Sequence, residues 1–546
     1  MSSTAQDDHL DGTVDSVPEG PVEETATPGR HRYRRPGMAR FAVLLAVFVC
    51  SACGLVYELA LVALGSYLIG NSVGQASIVL SLMVFAMGLG ALLAKPLQRW
   101  AAVSFVAVEL VLALLGGVSV LGLYAAFAWL SMYMPMLIVT SLVLGTLIGA
   151  EIPLLMVLLQ RIRRQEAGSA VADMFAADYV GALIGGLAFP FLLLPLLGQV
   201  RGALLVGMLN AAAGLGLILT VYRVELGKRL VVLLTVAVML IGGVLGGAFA
   251  LSGRFETTAR QALYDDPVVH AERSKYQEIV LTSSRSLSGR TDTRLFLNGD
   301  LQFSSVDERR YHEALVHPAM VGDPSEVLIL GGGDGLALRE VLRYPDVERV
   351  TLVELDPAVL RLGREDPRLT SLNEHAFDDP RVNTVSADAF SWLRGNQRRY
   401  DAVLVDMPDP DSTETAKLYS TEFYSLVRRS MAEGARVNVQ AGSPYFAPEA
   451  YWCVEASMRQ AGLATVPYSR PIPSFGQWGF QLGVSGDSTP TPRLPEDVPE
   501  LRTLDARTLR AATVFPPDRD RIADVEPSTL MHPRIVQYER GAWRNY

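Results

Sequence analysis

The stretch LILGGGDGLALREVLRYPDVERVTLVELDP, residues 328–357, decides the fold of the second half of the chain. EVLIL (326–330) is a continuous apolar run of strand length, which predicts a parallel strand buried on both faces. Gly331, Gly332 and Gly333 follow and predict a tight turn where a ligand can approach the backbone. LALREVLRY reads as a helix, and RVTLVELD (349–356) as the next strand, with Glu354 near its end. Strand, glycine loop, helix, strand and acid together describe a nucleotide-binding βαβ unit, in which the acid takes ribose hydroxyls. The spacing is not GxGxxG, and Asp334 stands where a pyrophosphate would be repelled. These features favour a nucleoside without phosphate, an S-adenosyl compound over NAD. The glycines alone fit a structural turn equally well.

Working outward, VNTVSADAFSWL (382–393) predicts a third strand with Asp388 just after it, placed to accept an adenine amino group. YDAVLVDMPDPDSTETAKLY (400–419) predicts a fourth strand that leads into Asp406, Asp409 and Asp411. Open α/β sheets bind ligands just beyond the carboxyl ends of their strands, and these acids lie there. One such Asp is explained as well by a turn cap. Three after one strand are not.

The 546-residue chain is 50% hydrophobic, and its net charge of −9 argues against nucleic acid and suits a cationic partner. Cys50, Cys53 and Cys453 give neither a disulfide framework nor the Cys/His spacing of a zinc site. Residues 1–36 are rich in Ser, Thr, Pro, Glu and Asp and predict a disordered tail. Seven apolar runs of about 20 residues follow, near 41–63, 74–95, 102–124, 133–157, 175–197, 201–222 and 230–252. Each has the length a bilayer requires of a helix. After Gly253 charges become frequent and apolar runs shrink to strand length. The predicted organisation is a membrane domain over 37–252, a small β-rich subdomain over 253–322 and a Rossmann-like α/β domain over 323–486. Residues 487–546 form a linker, DSTPTPRLPEDVPE (487–500), and a short extension.

Several stretches also resemble one family. VLILGGGDGLALRE (327–340) is similar to the spermidine synthase (polyamine aminopropyltransferase) signature over its whole length. NGDLQFSSVDERRYHEALVHPAM (298–320), DMPDP through LYSTEFY (406–424) and IPSFGQWGF (472–480) resemble other segments of that family, in order. The resemblance spans about residues 270–485, and the apolar front half resembles the family's membrane-fused branch. It implies a methyltransferase-like Rossmann fold with a small N-terminal β subdomain. It also implies transfer of the aminopropyl group of decarboxylated S-adenosylmethionine to a primary amine such as putrescine.

By this resemblance Asp406 is the general base, and Asp409 and Asp334 hold the aminopropyl ammonium. Glu354 binds ribose and Asp388 adenine, while Gln277 and Gln302 contact the nucleoside end. Tyr311 and His312 line the diamine channel, with Gln440 near the distal amine. The resemblance implies a homodimer, and the chemistry calls for neither metal nor cofactor, because a sulfonium is already an activated leaving group. One departure stands out: many members carry a Tyr in the late loop, and the matching position here is Phe475. The alternatives are a polyamine transporter or sensor with a nucleoside-binding soluble domain, and an S-adenosylmethionine methyltransferase. The acid cluster argues against the methyltransferase, because a methyl donor that keeps its own carboxylate would be repelled.

The apolar runs carry four carboxylates: Glu58, Glu109, Glu151 and Asp178. Glu58 and Glu109 are expected to face the bundle interior or a water-filled cavity, whereas Glu151 and Asp178 are placed nearer the interface. Glycines in MGLGALL (87–93) and GALIGG (181–186) predict close helix packing. Arg30, Arg32, Arg34, Arg35 and Arg40 precede the first run. Lys95 and Arg99 follow the second run, Arg161, Arg163 and Arg164 the fourth, and Arg223, Lys228 and Arg229 the sixth. The excess of Lys and Arg in cytoplasmic loops therefore puts the amino terminus in the cytoplasm. Seven crossings then put the catalytic domain outside, while a cytosolic donor puts it in the cytoplasm. Either one run does not cross, or a further crossing exists, or the domain lies outside; the expected localisation is the cell membrane, with the catalytic domain cytoplasmic on the donor's chemistry.

Overall fold

The computed structural model describes residues 36–69, 72–162, 167–221, 226–285, 289 and 291–542. The expected tail, with Arg30, Arg32, Arg34 and Arg35, lies outside the described residues apart from Pro36, as do Arg163, Arg164 and Arg223.

Long apolar helices build the first half: α1 (Pro36–Ile69), α2 (Ser72–Leu93), α3 (Ala101–Ala125), α4 (Tyr133–Ile162), α5 (Ala167–Ala188), α6 (Leu194–Thr220) and α7 (Lys228–Gln261). Six helical stretches among the described residues are long and apolar enough to cross a membrane. The sequence predicts seven. The difference lies in Val171–Thr220, a 50-residue stretch that holds two of the expected runs. Gly198 interrupts it, with φ 74° and ψ −179°. A straight helix of that length would be about 75 Å long, far beyond the roughly 30 Å of a hydrocarbon core. The break at Gly198 divides it into two pieces of crossing length. Large apolar side chains such as Phe85, Phe191, Leu196, Met239 and Leu240 point outward, as the lipid-facing surface of a bundle requires. The last helix continues past Gly253 to Gln261, so polarity changes within α7 rather than at its end.

Glycine lets these helices touch. A Cβ on Gly90 of α2 would fall 2.0 Å from the Thr146 carbonyl oxygen of α4, and one on Gly181 of α5 would fall 2.2 Å from that of Phe48 on α1. Both glycines belong to the expected packing stretches.

Contacts also fix helix direction. Arg40 near the start of α1 pairs with Asp173 near the start of α5. Tyr124, at the end of α3, and Trp129 beyond it pack edge-on against Phe255, near the end of α7. Arg201, near the start of α6, donates to Ser252 of α7 at 3.0 Å. The ends of α3 and α7 and the start of α6 therefore share one face of the bundle. The soluble half sits there, because Tyr67 at the end of α1 bonds Glu278 and Arg260 of α7 reaches the same carboxylate at 3.0 Å. The basic positions Arg40, Lys95, Arg99, Lys228 and Arg229 lie at the opposite ends of their helices.

The soluble half begins with a four-stranded antiparallel sheet in the order β1 (Val268–Arg273), β2 (Glu278–Arg285), β3 (Thr291–Leu297) and β4 (Asp300–Ser304). A seven-stranded mixed sheet follows. Its strands are β5 (Glu326–Gly331), β6 (Arg349–Glu354), β7 (Val382–Ser386), β8 (Tyr400–Asp406), β9 (Met431–Gln440), β10 (Leu463–Ile472) and β11 (Gly476–Ser485). The spatial order is β10-β11-β9-β8-β5-β6-β7. β5 to β9 are parallel and β10 and β11 antiparallel to their neighbours. The four parallel strands expected from sequence are all present. The chain leaves β5 toward β6 and β7, then returns to lay β8 on the other side of β5. That reversal opens a crevice at the carboxyl ends of β5 and β8, where Gly331 and Asp406 stand in register.

Candidate active site

The glycines shape one wall of the crevice. Gly331 and Gly332 have φ of 86° and 64°, a region that disfavours any residue with a Cβ. A Cβ on Gly331 would lie 2.0 Å from the Asp406 carbonyl oxygen, and one on Gly333 would lie 2.8 Å from Cγ of Glu354. The loop is therefore bare so that two acidic strand ends can close on it.

Asp406 ends β8, and the Tyr311 hydroxyl donates to its Oδ1 at 2.5 Å. Tyr311 and His312 come from the helix Glu308–Val316, which packs beside the sheet. Burial is the main cause that raises Asp406; with His312 and the Tyr311 hydroxyl holding it down and Asp334 pushing it up, it stands at about 6. Asp334 accepts the backbone N–H of Leu336 at 2.8 Å, and burial raises it as well. Glu354 accepts the backbone N–H of Asp356 at 2.9 Å and is pushed to about 7, by burial first and then by Asp356 and Asp334. Gln277 joins this end of the crevice, its amide donating to Asp356 at 3.2 Å.

At the other end, Gln440 faces Asp409 at 3.3 Å and donates to the Tyr419 hydroxyl at 2.6 Å and the Met407 carbonyl at 2.5 Å. Burial raises Asp409 well above the carboxylate range, and Glu539, Asp300 and Asp411 add to the rise. Such a set of raised carboxylates is poised to ionise when a cation arrives, because an opposite charge favours the charged form.

The structure thus brings Asp334, Glu354, Asp406, Asp409, Tyr311, His312, Gln277 and Gln440 to one crevice. Two expected residues are engaged otherwise. Asp388 caps the helix Ala389–Gly395 through the Ser391 N–H at 2.9 Å and takes Lys417 on its other oxygen at 2.6 Å. Burial opposes its ionisation, but Lys417 and the cap outweigh it and keep it below the usual carboxylate range. Gln302 donates to its own neighbour, the Asp300 carbonyl, at 3.1 Å. Phe475 stands beside Tyr311, ring centroids 6.1 Å apart, so the departure from the resembled pattern lies against Tyr311.

Sequence reasoning missed the supports. Glu308 accepts from both terminal nitrogens of Arg339 at 2.9 Å and meets His312 Nδ1 at 3.0 Å. Burial lowers the His312 pKa, but Glu308 outweighs it, so the net shift is upward. Tyr419, inside the quoted LYSTEFY stretch, holds Gln440. Glu539 and Arg540 come from the helix Arg534–Ala542 in the extension, where Arg540 donates to the Asp411 carbonyl at 3.3 Å. Glu539 lies in no quoted stretch, and Glu308, although inside the 298–320 stretch, shows its bond to Arg339 only in the folded arrangement.

A family model described as the Spermine/spermidine synthase domain matches residues 308–492. Polyamine aminopropyltransferase 1 of Streptomyces coelicolor is 57% identical over 98% of this chain and 99% of its own length. The chain belongs to the polyamine aminopropyltransferase family. It is therefore an aminopropyltransferase. The Mycobacterium tuberculosis polyamine aminopropyltransferase is 47% identical over 92% of this chain and 97% of its own. These relatives align with the apolar helices as well as the soluble half. A crystal structure of spermidine synthase in complex with the transition state analogue AdoDATO is 26% identical, covers 46% of this chain and 86% of that one, and superposes with a TM-score of 0.43.

Proposed function

We propose that this aminopropyltransferase moves the aminopropyl group of decarboxylated S-adenosylmethionine to a primary amine such as putrescine, giving spermidine and methylthioadenosine. The observation that carries this reading is the Tyr311–Asp406 pair at the end of β8, set between the Glu354 end and the Asp409 end of one acidic crevice. The nucleoside lies against Gly331–Gly333, with ribose on Glu354 and Gln277 near by. Asp334 and Asp409 hold the aminopropyl ammonium. The acceptor amine gives its proton to Asp406, and its lone pair attacks the carbon next to sulfur. The carbon–sulfur bond breaks, its electrons stay on sulfur, and a neutral thioether leaves. The sulfonium is the electrophile, so this step requires no metal or cofactor. Alignment and proton acceptance are what the protein supplies. The occupied carboxylate of Asp388 leaves the adenine contact to rearrangement of Lys417 or to neighbouring backbone.

The same reading places the apolar helices across a bilayer, with lipid as their partner, and pairs the soluble halves as a homodimer. Donor chemistry assigns the catalytic half to the cytoplasm. The basic helix ends then face outward, against the usual excess of Lys and Arg inside. Single cysteines placed near Arg99 and near Arg502, probed in whole cells with a membrane-impermeant maleimide, decide the side. Labelling near Arg502 alone puts the catalytic half outside and overturns the assignment.

The activity is tested with detergent-purified full-length protein, decarboxylated S-adenosylmethionine and a panel of diamines, with products read by mass spectrometry. Methylthioadenosine formed together with an aminopropylated amine is the expected result. Tighter calorimetric binding of S-adenosylmethionine than of its decarboxylated form would overturn the donor assignment.

A further inference from the structure

Three acidic or thiol groups meet deep inside the helix bundle, far from the transfer chemistry. Cys50 on α1, Glu109 on α3 and Glu151 on α4 each offer a ligand atom, and these atoms lie within 4.8 Å of one another. The group is sealed: Cys50 is 1% exposed, Glu109 0% and Glu151 4%. Helix packing turns Glu151 inward onto Glu109. Glu58, expected inside, is only half-buried.

Asn210 on α6 is a separate observation at the same place. It is 0% exposed and faces Glu109. Neither its amide nitrogen nor its amide oxygen has a partner at hydrogen-bond distance, and the same holds for both Glu109 oxygens and for one Glu151 oxygen. Buried polar groups are almost always paired. Two adjacent carboxylates and the amide beside Glu109, with no partner at hydrogen-bond distance for these atoms, leave a gap in that pairing. The four residues come from four different helices, so the arrangement is tertiary and no local motif could announce it. In the sequence, the interiors of α1, α3 and α4 hold no Lys or Arg, so no residue of these helices can neutralise the pair.

We infer that Cys50, Glu109, Glu151 and Asn210 form a binding site for a single divalent transition-metal cation of the zinc class inside the helix bundle. A divalent ion offsets the charge of two carboxylates and a bound thiolate to within one unit in an apolar surround. The donors are one sulfur and three oxygens, a mixed set that a borderline-soft ion accepts and magnesium or calcium does not favour. An ion with bonds of about 2.0–2.3 Å to such donors fits ligand atoms this close. The sealed surround admits an ion more readily than the alkyl chain of a diamine, and a thiol offers an ammonium little.

The untagged full-length protein, purified in detergent and stripped with chelator, is titrated with zinc chloride. Metal content is read by elemental mass spectrometry and stability by thermal melting. About one retained equivalent per chain and a rise in melting temperature are expected, since a ligand of the folded state stabilises by mass action. Glu109→Gln and Glu151→Gln each lower the affinity by at least about tenfold, and Cys53→Ser leaves it unchanged. Cadmium gives a thiolate-to-metal ultraviolet band that Cys50→Ser removes. Retained aminopropyl transfer shows that each variant is folded. If wild type retains no metal, the inference fails whatever the variants do. It fails equally if putrescine stabilises through these residues and zinc does not, or if the Gln variants bind as wild type, or if the cadmium band survives in Cys50→Ser.

Discussion

Replacing Asp406 by Asn separates what this carboxylate does for catalysis from what it costs the fold. Burial raises its pKa from 3.8 to about 6. Ionising it in the folded protein therefore costs about 3 kcal/mol more than in the unfolded chain. The folded pKa is the higher one, so the stability linked to this group is fully present below pH 3.8 and is lost as pH rises through about 6. Asn keeps the shape and an oxygen for the Tyr311 hydroxyl, but carries no charge at any pH. The variant should then be more stable than wild type by up to about 3 kcal/mol at pH 8, or about 6 °C at roughly 2 °C per kcal/mol. The advantage should shrink toward zero near pH 4. Its kcat should fall by about two to four orders of magnitude, the usual loss when a general base is removed. Melting of the soluble half at several pH values, followed without substrate, reads the first effect, and initial rates of methylthioadenosine release read the second. A variant that is less stable at pH 8, or one that keeps near-wild-type kcat, refutes the assignment of Asp406 as a buried base.

Tyr311→Phe removes the hydroxyl that holds the Asp406 pKa down, so the acid limb of the kcat profile should move to higher pH; an unmoved limb would show that the bond does not tune the base. Gly333→Ala puts a Cβ 2.8 Å from Glu354 Cγ and 3.0 Å from Val359, and should raise the donor KM with little change in melting temperature, as read by substrate titration. Arg339→Met strips Glu308 of its buried partner and should destabilise by about 3–5 kcal/mol, as for other buried pairs broken on one side; denaturant melts measure it, and a loss below about 1 kcal/mol would mean that water reaches the site.

What could be read ahead of the structure follows from distance along the chain. The βαβ unit is local: its strands, glycines and Glu354 all lie within residues 326–354, and periodicity exposes them. The carboxylates after β8 are legible for the same reason, since one strand end carries them together. The Asp388–Lys417 bond joins residues 29 apart, and the Arg339–Glu308 pair residues 31 apart; neither leaves a trace in spacing. Resemblance suggested adenine for Asp388 without showing that a lysine already occupies it. The seven apolar runs match α1 to α7, and Gly198 breaks the one continuous stretch of Val171–Thr220 without a polar loop to mark it. The extension could not be read because its contribution, Glu539 beside Asp409, exists only once the helix Arg534–Ala542 has docked.

Glu278 receives Tyr67 from α1 and Arg260 from α7 on one buried carboxylate. The residue before it in the chain is Gln277, at the nucleoside end of the crevice. The two halves are thus fastened at a point one residue from Gln277, which the proposed function sets beside the nucleoside. In the bilayer arrangement proposed above, a tilt of α1 against α7 would act directly on β2, the strand that Glu278 begins.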